Sequence, residues 1–371
     1  MGKSSVRLET QRYRREIFTA PSLLGNPLGS PGERGISIYL PPGYLETRKA
    51  RYPVVYLLHG YGADSDNPIV DSRMGMRKNY PLLLRIPFRR IFSHLLSFEV
   101  LDRLILSGEL PPFILAQPDG SLHLPNIYGS KGLDGKLGRK GSLYTDSPFS
   151  GNYATYIFED VISHIEERYQ TVEEKSGRFL MGASLGGYGA LLGGILHPER
   201  FRAVVALSPS ISCLDLLDVQ LVVPFQRILF GAAKGNDLGR KQISDILDTC
   251  DLVFSNDRRL LPTVKRDEQG RAVEMDEQAR RNWARSDLAQ FLDSHPRAFK
   301  DVRLLFNCAQ SDEYGFAEPC RRFHDQLEQK GIQHSFDIYQ DGEAARLSPH
   351  ILGIAWHLLP GLRFCLTQSA S

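Results

Sequence analysis

Hydrophobic positions along the chain fall into two alternating textures. Short runs that are apolar at nearly every position are separated by stretches in which apolar residues recur at helical spacing. Continuous apolar runs are the pattern of strands buried on both faces, which occur in parallel sheets covered by helices. The runs are Gly35–Leu40 (GISIYL), Pro53–Leu58 (PVVYLL), Pro112–Gln117 (PFILAQ), Gly177–Met181 (GRFLM), Ala203–Leu207 (AVVAL), Val302–Cys308 (VRLLFNC) and His334–Tyr339 (HSFDIY). Their alternation with helical patterns predicts an α/β fold with a mostly parallel central sheet. No internal repeat or low-complexity segment interrupts the pattern.

Two stretches break the rhythm. Asn67–Leu106 is apolar and basic by turns, and Leu214–Lys300 is longer, more helical and highly charged. Both are expected to be insertions within one domain spanning residues 1–371. They would lie over one end of the sheet as pocket walls or a helical cap, where loops on a rigid scaffold set specificity. Within the first, Arg77–Leu96 (RKNYPLLLRIPFRRIFSHLL) predicts a cap helix with its arginines in water. A basic amphipathic surface that touches lipid is the alternative. Within the second, the mixed charges of Lys265–Arg285 predict a solvated helix, with a loop, carrying i,i+4 ion pairs.

Composition narrows the function. The chain has 371 residues, 42% hydrophobic and 24% charged, as an ordinary soluble globular protein does. A net charge of +2 gives no reason to expect a nucleic-acid partner. Five cysteines without CxxC spacing read as free thiols of a reducing compartment. The start lacks the apolar run of a signal peptide, and Val6 does not fit a myristoylation motif. No apolar run approaches the roughly 18 residues of a membrane span. A cytoplasmic protein without a stable membrane span is therefore expected, with homo-oligomerisation left open.

The chemistry centres on Gly182-Ala183-Ser184-Leu185-Gly186. A strand, GRFLM, precedes Ser184, and a helix-compatible stretch, GGYGALLGGILHP, follows it. Such a turn places the serine in a strained conformation above the sheet and requires small residues two before and two after it, here Gly182 and Gly186. A serine hydroxyl needs a base to become a nucleophile. In this arrangement an acid and then a histidine should follow, each after a later strand. Asp312 stands in the loop after VRLLFNC, with Glu313 next to it as the second candidate acid; capping a helix that begins near Phe316 is the structural alternative for Asp312. His350 opens the last amphipathic helix and is the candidate base, whereas His334 begins a strand at the wrong end of the sheet. His357 is expected to pack, His197 to end a helix and His164 to lie on a helix surface. Oxyanion donors would be the backbone N–H groups of Tyr61, in His59-Gly60-Tyr61-Gly62, and of Leu185; His59 is expected to shape that loop. No HExxH or other clustered ligand spacing suggests a metal or organic cofactor.

The chain also resembles the putative-esterase family of α/β-hydrolases. That family includes esterase D and S-formylglutathione hydrolases, feruloyl and enterochelin esterases, and mycolyltransferases. The matching stretches are YLPPGY (Tyr39–Tyr44), YPVVYLLHGYG (Tyr52–Gly62), SPFSGNYATYIFEDVISHIEERY (Ser147–Tyr169), GASLGGYGAL (Gly182–Leu191), HPERFRAVVALSPS (His197–Ser210) and NCAQSDEYGF (Asn307–Phe316). The resemblance implies an α/β-hydrolase fold, Ser184 as nucleophile, Asp312 as acid and His350 as base. The expected activity is serine-dependent hydrolysis of a small-molecule carboxylic ester. An acyltransferase on the same residues and a non-catalytic binding protein of the same fold are the alternatives.

Overall fold

A computed structural model describes residues 11–47, 49–63, 65, 70, 96–123, 139–222, 224–254, 264–267, 272–340 and 348–367. Its centre is an eight-stranded sheet formed by β1 (Tyr13–Thr19), β2 (Glu33–Tyr39), β3 (Val54–Leu58), β4 (Ile114–Pro118), β5 (Arg178–Ala183), β6 (Ala203–Leu207), β7 (Arg303–Ala309) and β8 (Ser335–Tyr339). The spatial order is β1-β2-β4-β3-β5-β6-β7-β8. Every neighbouring pair is parallel except the two made by β2.

Burial explains the central strands. Every residue of β3, β4 and β6 is buried, because helices cover both faces of the sheet. One face packs under α1 (Phe98–Leu106) and α9 (Pro349–Leu366), through Leu101, Leu358 and Leu362. The other carries α2 (Val161–Arg168) and α3 (Leu185–Leu196), through Ile162, Leu191 and Ile195. Helix α3 holds five glycines, each worth about 1 kcal/mol less than alanine in a helix interior. All of α3 but Leu196 is buried, so tertiary packing rather than propensity maintains it.

Register brings the strand ends to one level. Leu58 pairs with Gly182, Ala183 with Leu207, and Leu207 with Asn307. The loops that leave β3, β5, β6 and β7 therefore emerge side by side.

The seven predicted strands all form, with bounds shifted by no more than two residues. Strand β1 was not expected. Its sequence, YRREIFT, carries three consecutive charges and suits an edge strand, where charge discourages further pairing.

Between β6 and β7 the chain forms α4 (Pro224–Phe230), α5 (Ala232–Phe254), α6 (Glu277–Ala284) and α7 (Leu288–Ser294). The predicted Lys265–Arg285 helix is instead a short hairpin, Val264–Arg266 with Ala272–Met275, followed by α6. Lys265 meets Glu274 at 2.8 Å across that hairpin rather than along a helix. His164 is also not a surface residue: it is buried, stacked on Phe18, and its Nε2 lies 3.0 Å from Glu16. Of Arg77–Leu96, residues 77–95 lie outside the described residues. All five cysteines are buried and unbridged. Among the described residues no helix is long and apolar enough to cross a membrane.

Candidate active site

Ser184 stands between β5 and α3 with φ 57° and ψ −121°, a conformation non-glycine residues rarely adopt. Two glycines make the turn sterically possible. A Cβ on Gly182 would collide with the carbonyl of Gly186, and one on Gly186 with the carbonyls of Leu58 and His59. Both positions thus meet the requirement read from the sequence. The Ser184 amide donates to the Leu207 carbonyl at 2.8 Å, fixing the turn to the end of β6.

The loop after β3 lies against this serine. A Cβ built on Gly60 would stand 3.2 Å from Ser184 Cβ and 3.7 Å from its Oγ. His59 holds the loop from behind. Its Nδ1 is 2.8 Å from the Gly60 carbonyl, its Nε2 accepts from the Gly120 amide at 2.9 Å, and Tyr144 Oη donates to its carbonyl at 2.7 Å. These bonds leave His59 Nε2 occupied as an acceptor in a buried ring. Beside it, Asp119 accepts from the Ser121 amide at 3.0 Å and contacts His123 Nε2 at 3.0 Å. Burial opposes its charge, but His123, His59 and Arg34 together hold its carboxyl well below the ordinary carboxylate range.

Leu185 is the first residue of α3. The first N–H groups of a helix have no acceptor within it, and they favour negative charge nearby.

The loop after β7 carries Asp312 and Glu313, and α9 begins at Pro349 with His350 in its first turn. Asp312 and His350 are brought together: Nδ1 of the imidazole lies 2.7 Å from Asp312 Oδ2, with both side chains almost wholly buried. Asp312 Oδ1 accepts from the Tyr314 amide at 3.0 Å, and Cys308 Sγ donates to Oδ2 at 3.6 Å. Asp312 caps no helix: α8 (Ala317–Gln329) has Phe316 at its N-cap.

Glu313 does something different. It accepts from Ser348 Oγ at 2.6 Å and from the His350 backbone amide at 2.7 Å, so it anchors the start of α9. Burial pushes its carboxyl above the usual range against the pull of His350. For His350, burial favours the neutral ring, but the charge and hydrogen bond of Asp312, with the charge of Glu313, outweigh it and raise the imidazole pKa. The rings of Tyr314 and Phe316 flank the imidazole at 4.7 and 5.6 Å.

Among the described residues no hydrogen bond joins Ser184 Oγ to His350; both lie at the end of the sheet where the strand loops emerge. Catalytic hydrogen bonds commonly tighten only when substrate is bound.

A model of the family described as "Putative esterase" matches residues 30–351. The chain belongs to the putative-esterase family. Over 168 residues it is 26% identical to an endo-1,4-beta-xylanase/feruloyl esterase of Xylanibacter ruminicola, a match covering 44% of this chain and 18% of that protein. Over 157 residues it is 26% identical to esterase Rv1288 of Mycobacterium tuberculosis, covering 42% of this chain and 25% of that protein. The chain thus spans about a quarter or less of the length of the curated relatives it matches. In structure it is similar to a ferulic acid esterase, with TM-score 0.55 and 16% identity over 95% of this chain and 97% of that one. It is also similar to FphF, a fluorophosphonate-binding serine hydrolase of Staphylococcus aureus, with TM-score 0.54 and 13% identity over 96% and 98% of the two chains. The putative-esterase chain therefore has the α/β-hydrolase fold that its sequence implied.

Several residues around the site carried no sequence signal of their own. Tyr314 lies in the loop after β7, where no local pattern marks it as a neighbour of His350. Gln242, Asp245 and Thr249 lie in the charged insertion, where i, i+3, i+7 spacing marks a shared helix face but not what it faces. Away from the site, His324, Glu328 and His334 are the one group among the described residues that could hold a metal, their ligand atoms lying within 4.8 Å of one another. His324 Nδ1 and His334 Nε2 are hydrogen-bonded to each other at 2.7 Å. A cavity of about 170 Å³ lined by Leu305, Ser335, His357 and Pro360 includes none of Ser184, Asp312 or His350.

Proposed function

We propose that this protein is a serine-dependent carboxylic ester hydrolase working through an acyl-enzyme. The observation that carries this reading is the buried His350–Asp312 pair at 2.7 Å, in a chain whose strained Ser184 leaves the same end of the sheet. An imidazole that donates from Nδ1 to a carboxylate keeps its Nε2 lone pair as the acceptor, which is the tautomer a base needs. Ser184 Oγ attacks the ester carbonyl carbon while its proton passes to His350 Nε2. The carbonyl oxygen takes up the negative charge, for which the amides of Tyr61 and Leu185 are the donors. On collapse the C–O bond to the alcohol breaks, and the leaving alkoxide takes the proton from His350. Water, deprotonated by the same imidazole, then releases the acid and restores Ser184. Asp312 stays ionised, orients the ring and stabilises the imidazolium. Family membership supports ester chemistry, and the similar proteins named as feruloyl esterases make a hydroxycinnamate ester a natural member of the substrate panel.

The test uses p-nitrophenyl acetate, butyrate and palmitate and methyl ferulate, with a fluorophosphonate probe alongside. Wild type should be labelled and hydrolyse at least one ester, while Ser184→Ala should lose both, with kcat lower by about 10⁴-fold or more. Unchanged turnover in Ser184→Ala would remove the serine from the mechanism.

A further inference from the structure

Helix α5 lies across both halves of this site, and its polar contacts are spaced for that purpose. Gln242, Asp245 and Thr249 occupy one face at i, i+3 and i+7, a span of about 10 Å at 1.5 Å per residue. At the C-terminal end of that face, Tyr61 Oη donates to Asp245 Oδ2 at 2.6 Å, with Thr249 Oγ1 2.8 Å away. Thr249 is completely buried and donates to the Asp245 carbonyl at 2.8 Å, which fixes its own orientation. At the other end, Gln242 Nε2 donates at 2.6 Å to the hydroxyl of Tyr314, the residue whose ring flanks His350 and whose amide binds Asp312. The remaining faces of α5 bury Ile243, Ile246, Leu247 and Cys250 in the core, so the helix is a rigid base for these bonds.

Tyr61 belongs to the loop that lies against Ser184. Its peptide N–H is a proposed oxyanion donor, while its side chain reaches away to α5. Gly60 and Gly62 on either side give that peptide little intrinsic stiffness, and Gly62 has φ 78°. Its hydroxyl, bonded to the Asp245 carboxylate and carbonyl and to Thr249, ties Tyr61 to α5. Burial and the Asp245 carboxylate raise the phenol's pKa far above its ordinary value, so it remains a donor throughout the working range.

We propose that Asp245 is a positioning residue for the oxyanion loop: through the Tyr61 hydroxyl, α5 holds the Tyr61 amide in the place where transition-state charge develops. The inference rests on the serine-hydrolase reading above. It assigns the insertion between β6 and β7 a role in rate as well as in the shape of the pocket. An interaction of this type acts on the transition state more than on the bound ester, so its loss lowers kcat with little change in KM.

The experiment is a double-mutant cycle on the full chain. Tyr61→Phe deletes the hydroxyl, and Asp245→Ala deletes its carboxylate acceptor while keeping the Asp245 carbonyl, 3.1 Å from Tyr61 Oη, and Thr249 Oγ1. Each should lower kcat by about 10-fold, a fraction of the 100-fold or more that losing a whole oxyanion donor costs. The double variant should fall no further than Tyr61→Phe alone, since without the hydroxyl the carboxylate has nothing left to hold. Asp245→Asn, whose amide oxygen still accepts from Tyr61, should return kcat to within about twofold of wild type. The inhibition constant of phenylboronic acid, whose serine adduct places an oxygen where the oxyanion would stand, should rise in step with the fall in kcat while KM stays level. Wild-type kcat in Tyr61→Phe, additive losses in the double variant, or a rise in KM alone would overturn the proposal. Fluorophosphonate labelling of the wild type separates the two levels. If the serine is labelled and the cycle shows no coupling, the positioning role fails alone. If the folded wild type is neither labelled nor active, the hydrolase reading fails and the proposal fails with it.

Discussion

On the side of Ser184, around β3 and β5, positions are set by backbone sterics; on the side of His350, around β7 and α9, they are set by buried charge. The first half depends on Gly182 and Gly186, whose missing side chains let α3 and the end of β3 close around the serine. Its histidine, His59, is held in place with both ring nitrogens hydrogen-bonded. The second half concentrates two carboxylates and an imidazole in a space with little solvent, and the shifts of His350 and Glu313 follow from that crowding. Steric placement is largely independent of pH, whereas charge placement carries its own pH dependence.

The comparison is attacked hardest at Asp312. Replacing it with Asn keeps the shape but removes the charge and turns the ring's preferred tautomer, so kcat/KM should drop about 10⁴-fold. The His350 pKa should fall at the same time, because the anion that raised it is gone; an imidazole NMR titration reads this directly. A small kinetic effect would mean the charge-built half is dispensable.

Next comes the steric half. Gly186→Ala places a methyl group against the carbonyls of Leu58 and His59 and should destabilise the fold by about 3 kcal/mol, seen as a lower urea midpoint. A wild-type midpoint would show that the turn is less constrained than its geometry says.

The smallest effect sharpens the contrast. Glu313→Gln retains one acceptor of two and should lower kcat/KM by about 10-fold. Loss of the negative charge favours the neutral imidazole, so the His350 pKa decreases and the acid limb of the pH–rate profile moves to lower pH. No change in that limb would assign Glu313 to anchoring α9 and nothing else.

What the sequence made legible follows the same division. Strands buried on both faces announce themselves as apolar runs, and seven were read that way. Edge strand β1 did not, since an edge tolerates Arg14, Arg15 and Glu16. The glycine requirement around Ser184 could be read because steric rules act between residues near in sequence. The choice between Asp312 and Glu313 could not, because it depends on which oxygen meets an imidazole 38 residues away. Within the insertion, mixed charges that suit i,i+4 pairs on a helix are satisfied across strands instead: Lys265 meets Glu274, nine residues on and out of reach along one helical turn. The partners of Gln242 and Asp245 were hidden for a similar reason: local spacing says which residues share a face and not what that face meets.

The burial of all five cysteines has a practical consequence for spectroscopy. A dye-reactive thiol introduced at Ile228, which is 68% exposed on α4, would be the sole accessible one in the folded chain. Because α4 joins α5 through Gly231, a fluorophore there would report on motion of the helix that touches both halves of the site, without removal of any native cysteine.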